Sequence, residues 1–124
     1  MKFKIDTKEK ILVVAPEIKE LNANLSDEFI SEISALPGLK GRNLILDMGL
    51  LENLDDTGVQ AIISVYHQQY DSNLSCAVTG LNTALTVLVK NADESVYNLA
   101  PTMAEAIDLV MMEDFERELL NDEE

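Results

Sequence analysis

The segment Leu44-Ile45-Leu46-Asp47-Met48 is followed, after a short loop, by Leu54-Asp55-Asp56-Thr57-Gly58-Val59. Apolar residues on both alternating faces are typical of a central strand that is covered on two sides. Beyond the loop, apolar residues recur at helical spacing at Val59, Ile62, Ile63, Tyr66 and Tyr70. The sequence therefore predicts a central strand, a loop, and a helix with acidic residues at its amino terminus.

Toward the amino terminus, the segments 3–5 and 11–15, in which Lys4 is the single charged residue, flank a polar turn, which predicts two antiparallel strands. The spacing then becomes helical at Leu25, Phe29, Ile30, Ile33 and Leu36. We expect Ser26 to be the N-cap of this first helix, and Pro37-Gly38 to end it. Leu25 is expected to pack on Ile30 as a hydrophobic staple.

Toward the carboxyl terminus, residues 74–79 and 96–99 are predicted strands with a short helix between them. Asn82 is the expected cap of that helix, whose inner face would consist of Leu85, Leu88 and Val89. Thr102 and Glu105 fit a capping box at the start of a terminal helix. The inward face of the terminal helix would consist of Met103, Ala106, Ile107, Val110 and Met111.

The order of these elements predicts one α/β domain over residues 1–120. Because every later strand follows a helix, right-handed crossovers make those strands parallel, and only the first strand pairs antiparallel at an edge. We therefore expect a mixed sheet of about five strands with about four helices. Residues 121–124 form an acidic tail that is expected to fray.

The composition of the chain limits its functions. Its 124 residues include 9 Lys and Arg against 23 Asp and Glu, a net charge of −14. Such a surface repels phosphate, so we expect no nucleic-acid binding and no docking on anionic membranes. No apolar run near the start is long enough for a signal peptide, and no span of about 18 apolar residues occurs, so we expect no leader and no membrane insertion. The lone Cys76 lies in an apolar run, where we expect a buried thiol. These features predict a cytoplasmic protein that binds a protein or a small molecule.

Residues that usually carry catalysis are scarce. His67 has no second His or Cys at ligand spacing, and the five glycines are scattered singly. We therefore expect no catalytic residue, no metal site and no cofactor. Residues 105–124 contain 9 acids and one base. We interpret this segment as a solvated face, with partner selection as the alternative, because negative charge at a helix carboxyl end opposes the helix dipole.

The strand that contains Asp47, the loop, and the helix start at Asp55 to Gly58 resemble the STAS domain of the anti-sigma factor antagonist family. In that family an apolar-Asp-apolar strand precedes Asp-Ser-Ser-Gly-Leu, which opens a helix. Here Asp55 matches the motif Asp, Gly58 matches the Gly, and Val59 matches the apolar residue after it. Residues 16–23 are similar to the family's link between the second strand and the first helix. The resemblance implies a mixed sheet with helices mainly on one side.

The resemblance also implies a function. In relatives that regulate sigma factors, a partner kinase, which is also the anti-sigma factor, phosphorylates the hydroxyl after the motif Asp. Aligned on Gly58, that position holds Asp56, and the second hydroxyl position holds Thr57. The phosphoacceptor candidate is therefore Thr57, and the partner-binding residues would be Asp55, Asp56, Thr57 and Gly58. The amino terminus of a helix tolerates an added anion.

Three roles remain open for the acidic helix start. Thr57 is phosphorylated, or Asp56 permanently mimics a phosphate, or the residues only cap the helix. The first role fits a bacterial anti-sigma factor antagonist that binds a histidine-kinase-like ATPase with serine/threonine kinase activity and releases a sigma factor.

The second role, in which Asp56 mimics a phosphate, fits a non-phosphorylated scaffold subunit of a larger signalling or lipid-transport complex. A third hypothesis is a small enzyme or ligand-binding protein that uses the carboxylates near Asp47 and Asp55. The sequence leaves the oligomeric state open.

Overall fold

The computed structural model of the chain describes residues 1–122. Its strands are β1 (Phe3–Thr7), β2 (Ile11–Pro16), β3 (Glu20–Leu21), β4 (Asn43–Asp47), β5 (Asn53–Leu54), β6 (Cys76–Thr79) and β7 (Leu99–Ala100). Its helices are α1 (Ser26–Ser34), α2 (Asp56–Asp71), α3 (Thr83–Ala92) and α4 (Met103–Asp122), with a 3-10 turn at Pro37–Leu39. Of the tail expected to fray, residues 121 and 122 belong to α4, and residues 123 and 124 lie outside the described residues.

The main sheet has five strands in the order β1-β2-β4-β6-β7. β1 pairs antiparallel with β2, and the other neighbours pair parallel. This arrangement confirms the predicted mixed sheet with an antiparallel amino-terminal edge strand. β4 lies at the centre, and its residues from Asn43 to Leu46 are buried, as expected for a strand with both faces covered.

The two faces of the sheet carry different helices. Alternate residues of a strand point to opposite faces. Leu44 and Leu46 therefore join the core that includes Phe29 of α1 and Ile62 of α2, together with Leu85 and Val89 of α3. Ile45 and Ala77 pack on the other face against Ala106, Ile107 and Val110 of α4. Three helices thus cover one face and α4 covers the opposite one.

The N-cap of α1 differs from the prediction. Ser26 is not the N-cap: it is the first helical residue, and its hydroxyl donates to the Asn22 carbonyl at 2.7 Å. The N-cap is Leu25, which has no side-chain cap bond. The reason is a turn closed by Asn22, whose carbonyl accepts from the backbone N–H groups of Leu25 and Ser26 at 3.0 Å each.

The α3 region confirms part of the prediction. Asn82 caps α3 by accepting from the Leu85 N–H at 2.9 Å, and Leu85 and Val89 are buried. Leu88, expected on the inner face, is 42% exposed. The buried stripe of α3 follows Leu85 and Val89, which are about one turn apart, and Leu88 lies beside it. The last strand is Leu99–Ala100 instead of residues 96–99, because only these two residues pair with β6.

The start of α4 is predicted correctly. The Glu105 N–H donates to the Thr102 hydroxyl at 3.2 Å, which is the first half of the expected capping box. None of the helices between residues 1 and 122 combines the length and apolarity needed to cross a membrane.

A polar network fastens the carboxyl half of α4 to the amino ends of the central strands. Arg117 donates to the Ser75 hydroxyl at 2.7 Å and to the Asn43 side-chain oxygen at 3.0 Å. Asn43, which is buried, donates in turn to Asp114 at 3.2 Å. Lys10 donates to Asp114 at 3.1 Å and also pairs with Glu118. The acidic segment is therefore not wholly a solvated face, because its only base and part of its acids bind the sheet.

A second cluster holds the middle of α4. The Tyr70 hydroxyl donates to Glu113 at 2.7 Å, and the Asn98 amide donates to the same carboxylate at 3.1 Å. Burial and the Glu113 carboxylate both raise the pKa of Tyr70, so this hydroxyl stays protonated. Since buried polar groups need partners, these bonds make the position of α4 specific.

We predict that Asp114→Asn lowers the free energy of unfolding at neutral pH. Burial would raise the pKa of Asp114, but hydrogen bonds from Asn43 and Lys10 and the charges of Lys10 and Arg117 hold it below the usual 3.8. A carboxylate whose pKa is lower in the folded state stabilises the fold above the unfolded-state pKa, and this contribution disappears as the pH falls through the folded-state pKa.

Urea unfolding of both proteins across the pH range measures this effect. The gap between wild type and Asp114→Asn should be present above pH 3.8 and close at more acidic pH. The control is Asp108→Asn, which changes an exposed carboxylate of the same helix and should open no comparable gap. A gap for Asp114→Asn that is independent of pH would contradict the prediction.

Candidate functional site

The predicted site residues lie at the amino terminus of α2, next to the carboxyl edge of the main sheet. Asp55 is the N-cap, and its Oδ1 accepts from the Gly58 N–H at 2.8 Å. Its carbonyl also accepts the first helical bond, from the Val59 N–H at 2.9 Å. An Asp in this position satisfies an orphan N–H group and places negative charge at the positive end of the helix dipole.

Asp55 also joins the helix start to the chain before α1. Its second carboxylate oxygen accepts from the Ala23 N–H at 3.3 Å, and its own N–H donates to the Leu21 carbonyl at 3.3 Å. The short parallel pair of β3 and β5, which the sequence did not predict, aligns Leu21 with Leu54. This pair places residues 22–24 beside the start of α2.

Gly58 permits a close approach between α2 and β3. A Cβ atom at this position would lie 2.1 Å from the Leu21 carbonyl oxygen and 2.8 Å from Leu54 Cδ1. The first contact is with backbone, which cannot rotate away as a side chain can. The glycine of the motif is therefore required by packing, and it is buried whereas the residues before it are exposed.

Asp56 and Thr57 are both exposed. Among residues 1–122 neither side chain takes part in a hydrogen bond, so the side-chain cap is made by Asp55. Asp56 lies in the first turn of α2, where its charge interacts favourably with the helix dipole. The Thr57 side chain is thus open to solvent, and the bonds of Asp55 and the packing of Gly58 fix the backbone on either side of it.

The surroundings of the helix start are acidic and polar. A shallow hollow beside Asp55 is lined by Glu20, Leu21, Asn22, Asn53 and Leu54. Glu52 is also exposed in the loop that leads to this hollow. Together with Asp55 and Asp56, these carboxylates favour a partner surface that carries positive charge.

Asp47, the strand aspartate of the resemblance, organises a neighbouring loop. Its Oδ1 accepts from the Gly49 N–H at 3.1 Å. Gly80 packs on this loop with a φ of +85°, and a Cβ there would lie 2.6 Å from the Gly49 nitrogen and 2.9 Å from Asp47 Oδ1. This left-handed conformation with close backbone contact suits glycine alone. Asp47 therefore has a structural role at the same sheet edge as the site.

The other candidate residues lie away from the site. His67 is half-buried and contacts the Asp93 carboxylate at 2.8 Å, which joins α2 to the loop after α3. Hydrogen bonds from Ser95 and His67 lower the pKa of Asp93 to about 2. Cys76 is buried as predicted, and burial raises the pKa of its thiol. Within residues 1–122 no three His, Cys, Asp or Glu side chains are grouped to hold a metal ion.

Sequence reasoning missed the part of the site that Leu21 and Ala23 contribute, because both act through backbone atoms. Their identities carry no signal for these contacts. The single glycine at position 58 is the only hint, since a glycine inside a helix lowers helix propensity and needs a compensating reason.

Comparisons with known proteins find similarity in structure alone. No family model matches the chain, and no curated protein matches it in sequence. An anti-sigma factor antagonist from Mycobacterium paratuberculosis has a TM-score of 0.70 and 18% identity, with 89% of this chain and 93% of that chain covered. The antagonist SpoIIAA in its unphosphorylated form has a TM-score of 0.68 and 15% identity, with 89% and 96% covered.

A chain from the stressosome, described as a signal integration and transduction hub, has a TM-score of 0.65 and 19% identity, with 87% of this chain and 96% of that chain covered. These similarities extend over nearly the full length of each chain. The chain therefore has the fold of the STAS domain of anti-sigma factor antagonists, as the resemblance in sequence implies.

We predict that Gly58→Ala destabilises the protein by about 2 kcal/mol or more, because overpacking against backbone typically costs about 1–3 kcal/mol. Without this clash, replacing Gly by Ala inside a helix would stabilise the protein by up to about 1 kcal/mol. Urea unfolding measures the difference. The control is Gly49→Ala, whose Cβ would meet only the Asp47 carboxylate oxygen, at 3.1 Å. A Gly58→Ala protein as stable as wild type would show that α2 can move away from β3.

Proposed function

We propose that this chain is a regulatory protein–protein interaction module that acts as an anti-sigma factor antagonist in the bacterial cytoplasm. Its partner is an anti-sigma factor of the histidine-kinase-like ATPase type, which has serine/threonine kinase activity, and binding releases a sigma factor. The observation that carries this proposal is the exposed Asp56-Thr57 pair on a helix start fixed by Asp55 and Gly58. The chain itself catalyses no reaction in this scheme.

The geometry of the helix start suits recognition. Asp55 binds Gly58 within the turn and Ala23 across it, while Leu21 accepts from the Asp55 N–H. The backbone under Thr57 is therefore ordered before a partner arrives. A preorganised surface loses less conformational entropy on binding, which favours affinity.

Phosphorylation of Thr57 would change the charge of this surface without unfolding the domain. A phosphate adds about −1.5 to −2 charges, and the orphan N–H groups of a helix amino terminus accept an anion. The new charge would lie beside Asp56 and near Asp55. A partner surface that fits the neutral hydroxyl would then meet both added bulk and a denser negative cluster, so the complex would weaken.

The net charge of −14 supports a partner with a basic docking surface. Opposite charges speed diffusional encounter, and the gain falls as salt screens the charges. Binding of the anti-sigma factor should therefore slow as ionic strength rises.

We predict that the anti-sigma factor kinase of the same organism, with ATP, adds one phosphate to this protein at Thr57. Intact-mass measurement with site mapping checks the result, and Thr57→Ala should gain no phosphate. Thr83→Ala is the matched control, because Thr83 is an exposed threonine in the first turn of α3; it should be phosphorylated like wild type. Phosphorylation of Thr57→Ala would exclude Thr57 as the acceptor.

Asp56→Ser separates the phosphoacceptor role from the phosphate-mimic role. If Asp56 mimics a phosphate, removing its charge should tighten binding to the anti-sigma factor, and the new serine should accept a phosphate. If Thr57 is the acceptor, Asp56→Ser should leave phosphorylation at Thr57 in place. The kinase assay and an equilibrium binding measurement on the same protein distinguish these outcomes.

A second candidate function is a non-phosphorylated scaffold subunit of a larger signalling or lipid-transport complex. Asp56 at the usual acceptor position favours it, and so does the similarity to a stressosome chain. Purification from native cells followed by sedimentation tests this alternative. Co-sedimentation in a large complex with unmodified Thr57 would support the scaffold, whereas a small salt-sensitive complex with one kinase-like protein would support the antagonist.

A further inference from the structure

The outward face of α4 carries an exposed apolar stripe. Met112 is 62% exposed, Phe115 is 60% exposed and Leu119 is 48% exposed. They are separated by three and four residues, which places them on one side of the helix. This side is opposite to Ala106 and Val110, which are fully buried against the sheet. Large apolar side chains in such a row usually mark an interaction site.

The spacing of the stripe is that of a helix–helix seam. Steps of three and four residues correspond to the a and d positions of a heptad, where apolar side chains insert between those of a facing helix. Met112 and Phe115, with Met111 and Asp108, line a shallow hollow on this face. The hollow can take an apolar side chain of a partner helix, and the Asp108 carboxylate stands at its edge.

The polar groups beside the stripe are acidic. Asp108 and Glu116 are exposed next to it, while Arg117, the one basic residue of α4, turns inward to Ser75 and Asn43. A second copy of this chain would bring like charges together across the seam and would add its own net charge of −14. An anionic membrane would be repelled for the same reason.

We propose that the outward face of α4 is a docking site for a basic amphipathic helix of a partner protein. Apolar residues of that helix pack on Met112, Phe115 and Leu119, and its Lys or Arg side chains pair with Asp108 and Glu116. This surface is separate from the α2 start, because α2 and α4 pack on opposite faces of the sheet. The domain can therefore bind two partners at once.

The network under α4 supports this use. Arg117 and Asp114 attach the carboxyl half of the helix to Asn43 and Ser75 from its inward side. A helix anchored in this way presents its stripe in a defined orientation. A partner then loses less free energy in ordering the surface.

The test uses the full chain and a synthetic helical peptide of about three heptads, with Leu at the a and d positions and Lys at the flanking e and g positions. Fluorescence anisotropy of the labelled peptide measures the affinity. We expect saturable binding to wild type, and no binding of a matched peptide with Glu in place of Lys. Failure of the Lys peptide to bind, or equal binding of the Glu peptide, overturns the proposal.

Variants separate docking on the stripe from general attraction to an acidic protein. Met112→Gln/Phe115→Gln/Leu119→Gln should weaken binding of the Lys peptide by at least about tenfold. The control Val87→Gln/Leu88→Gln changes exposed apolar residues of α3 on the other side of the sheet and should keep the affinity within about twofold. Circular dichroism should show the same helix content in all proteins, since the substituted residues are exposed. Equal binding by both variants overturns the proposal.

Two further measurements test whether a second copy of this chain or a membrane binds the stripe instead. We expect analytical ultracentrifugation to show no dimer of the wild type that depends on the stripe, that is, no dimer that is absent from the triple variant. Flotation with vesicles of phosphatidylcholine and phosphatidylglycerol should show no binding. A dimer that depends on the stripe, or binding to the vesicles, would assign this face to a second copy or to a membrane and would overturn the proposal.

Discussion

The close contact between the start of α2 and the Leu21 carbonyl is the constraint on which the candidate site depends. A Cβ at Gly58 would lie 2.1 Å from that oxygen, so the helix can reach β3 only through a residue without a side chain. The contact brings the Asp55 carboxylate within hydrogen-bond distance of Ala23. Two loops that are far apart in sequence thereby form one surface, and Asp56 and Thr57 are displayed on it.

The central strand β4 relates this surface to the opposite side of the molecule. Leu44 and Leu46 contact the core under the helices that include α2, whereas Ile45 contacts α4. At the amino end of the same strand, the Asn43 side chain bonds Arg117, Asp114 and the Ser75 backbone. One buried strand therefore positions the α2 start on one face and the outward stripe of α4 on the other. Such an arrangement suits a module whose work is binding.

Much of the fold follows from local patterns. Unbroken apolarity identified the central strand, and the 3.6-residue period identified the helices, because burial of one stripe or two faces imposes these periods on the sequence. Asn82 and Thr102 were predicted as caps because their side chains act on N–H groups a few residues away. Ser26 failed as a cap because Asn22, outside the expected helix, already closes the turn. The pairing of β3 with β5 was missed because two-residue strands show no period.

The sequence alone determined the fold class, the position of the acidic helix start and the acidic character of the surface, since these depend on residue type and spacing. It also marked Asp55 to Gly58 as the candidate site. Only the tertiary structure decided that Asp55 also binds the distant Ala23 N–H and that Asp56 and Thr57 remain exposed. Likewise, only the tertiary structure decided that Arg117 binds Ser75 on the inward side of α4, whereas Met112, Phe115 and Leu119 are exposed on its outward side. The physical reason is that exposure and hydrogen-bond partners depend on which segments pack together, and the partners here are backbone groups and side chains distant in the chain.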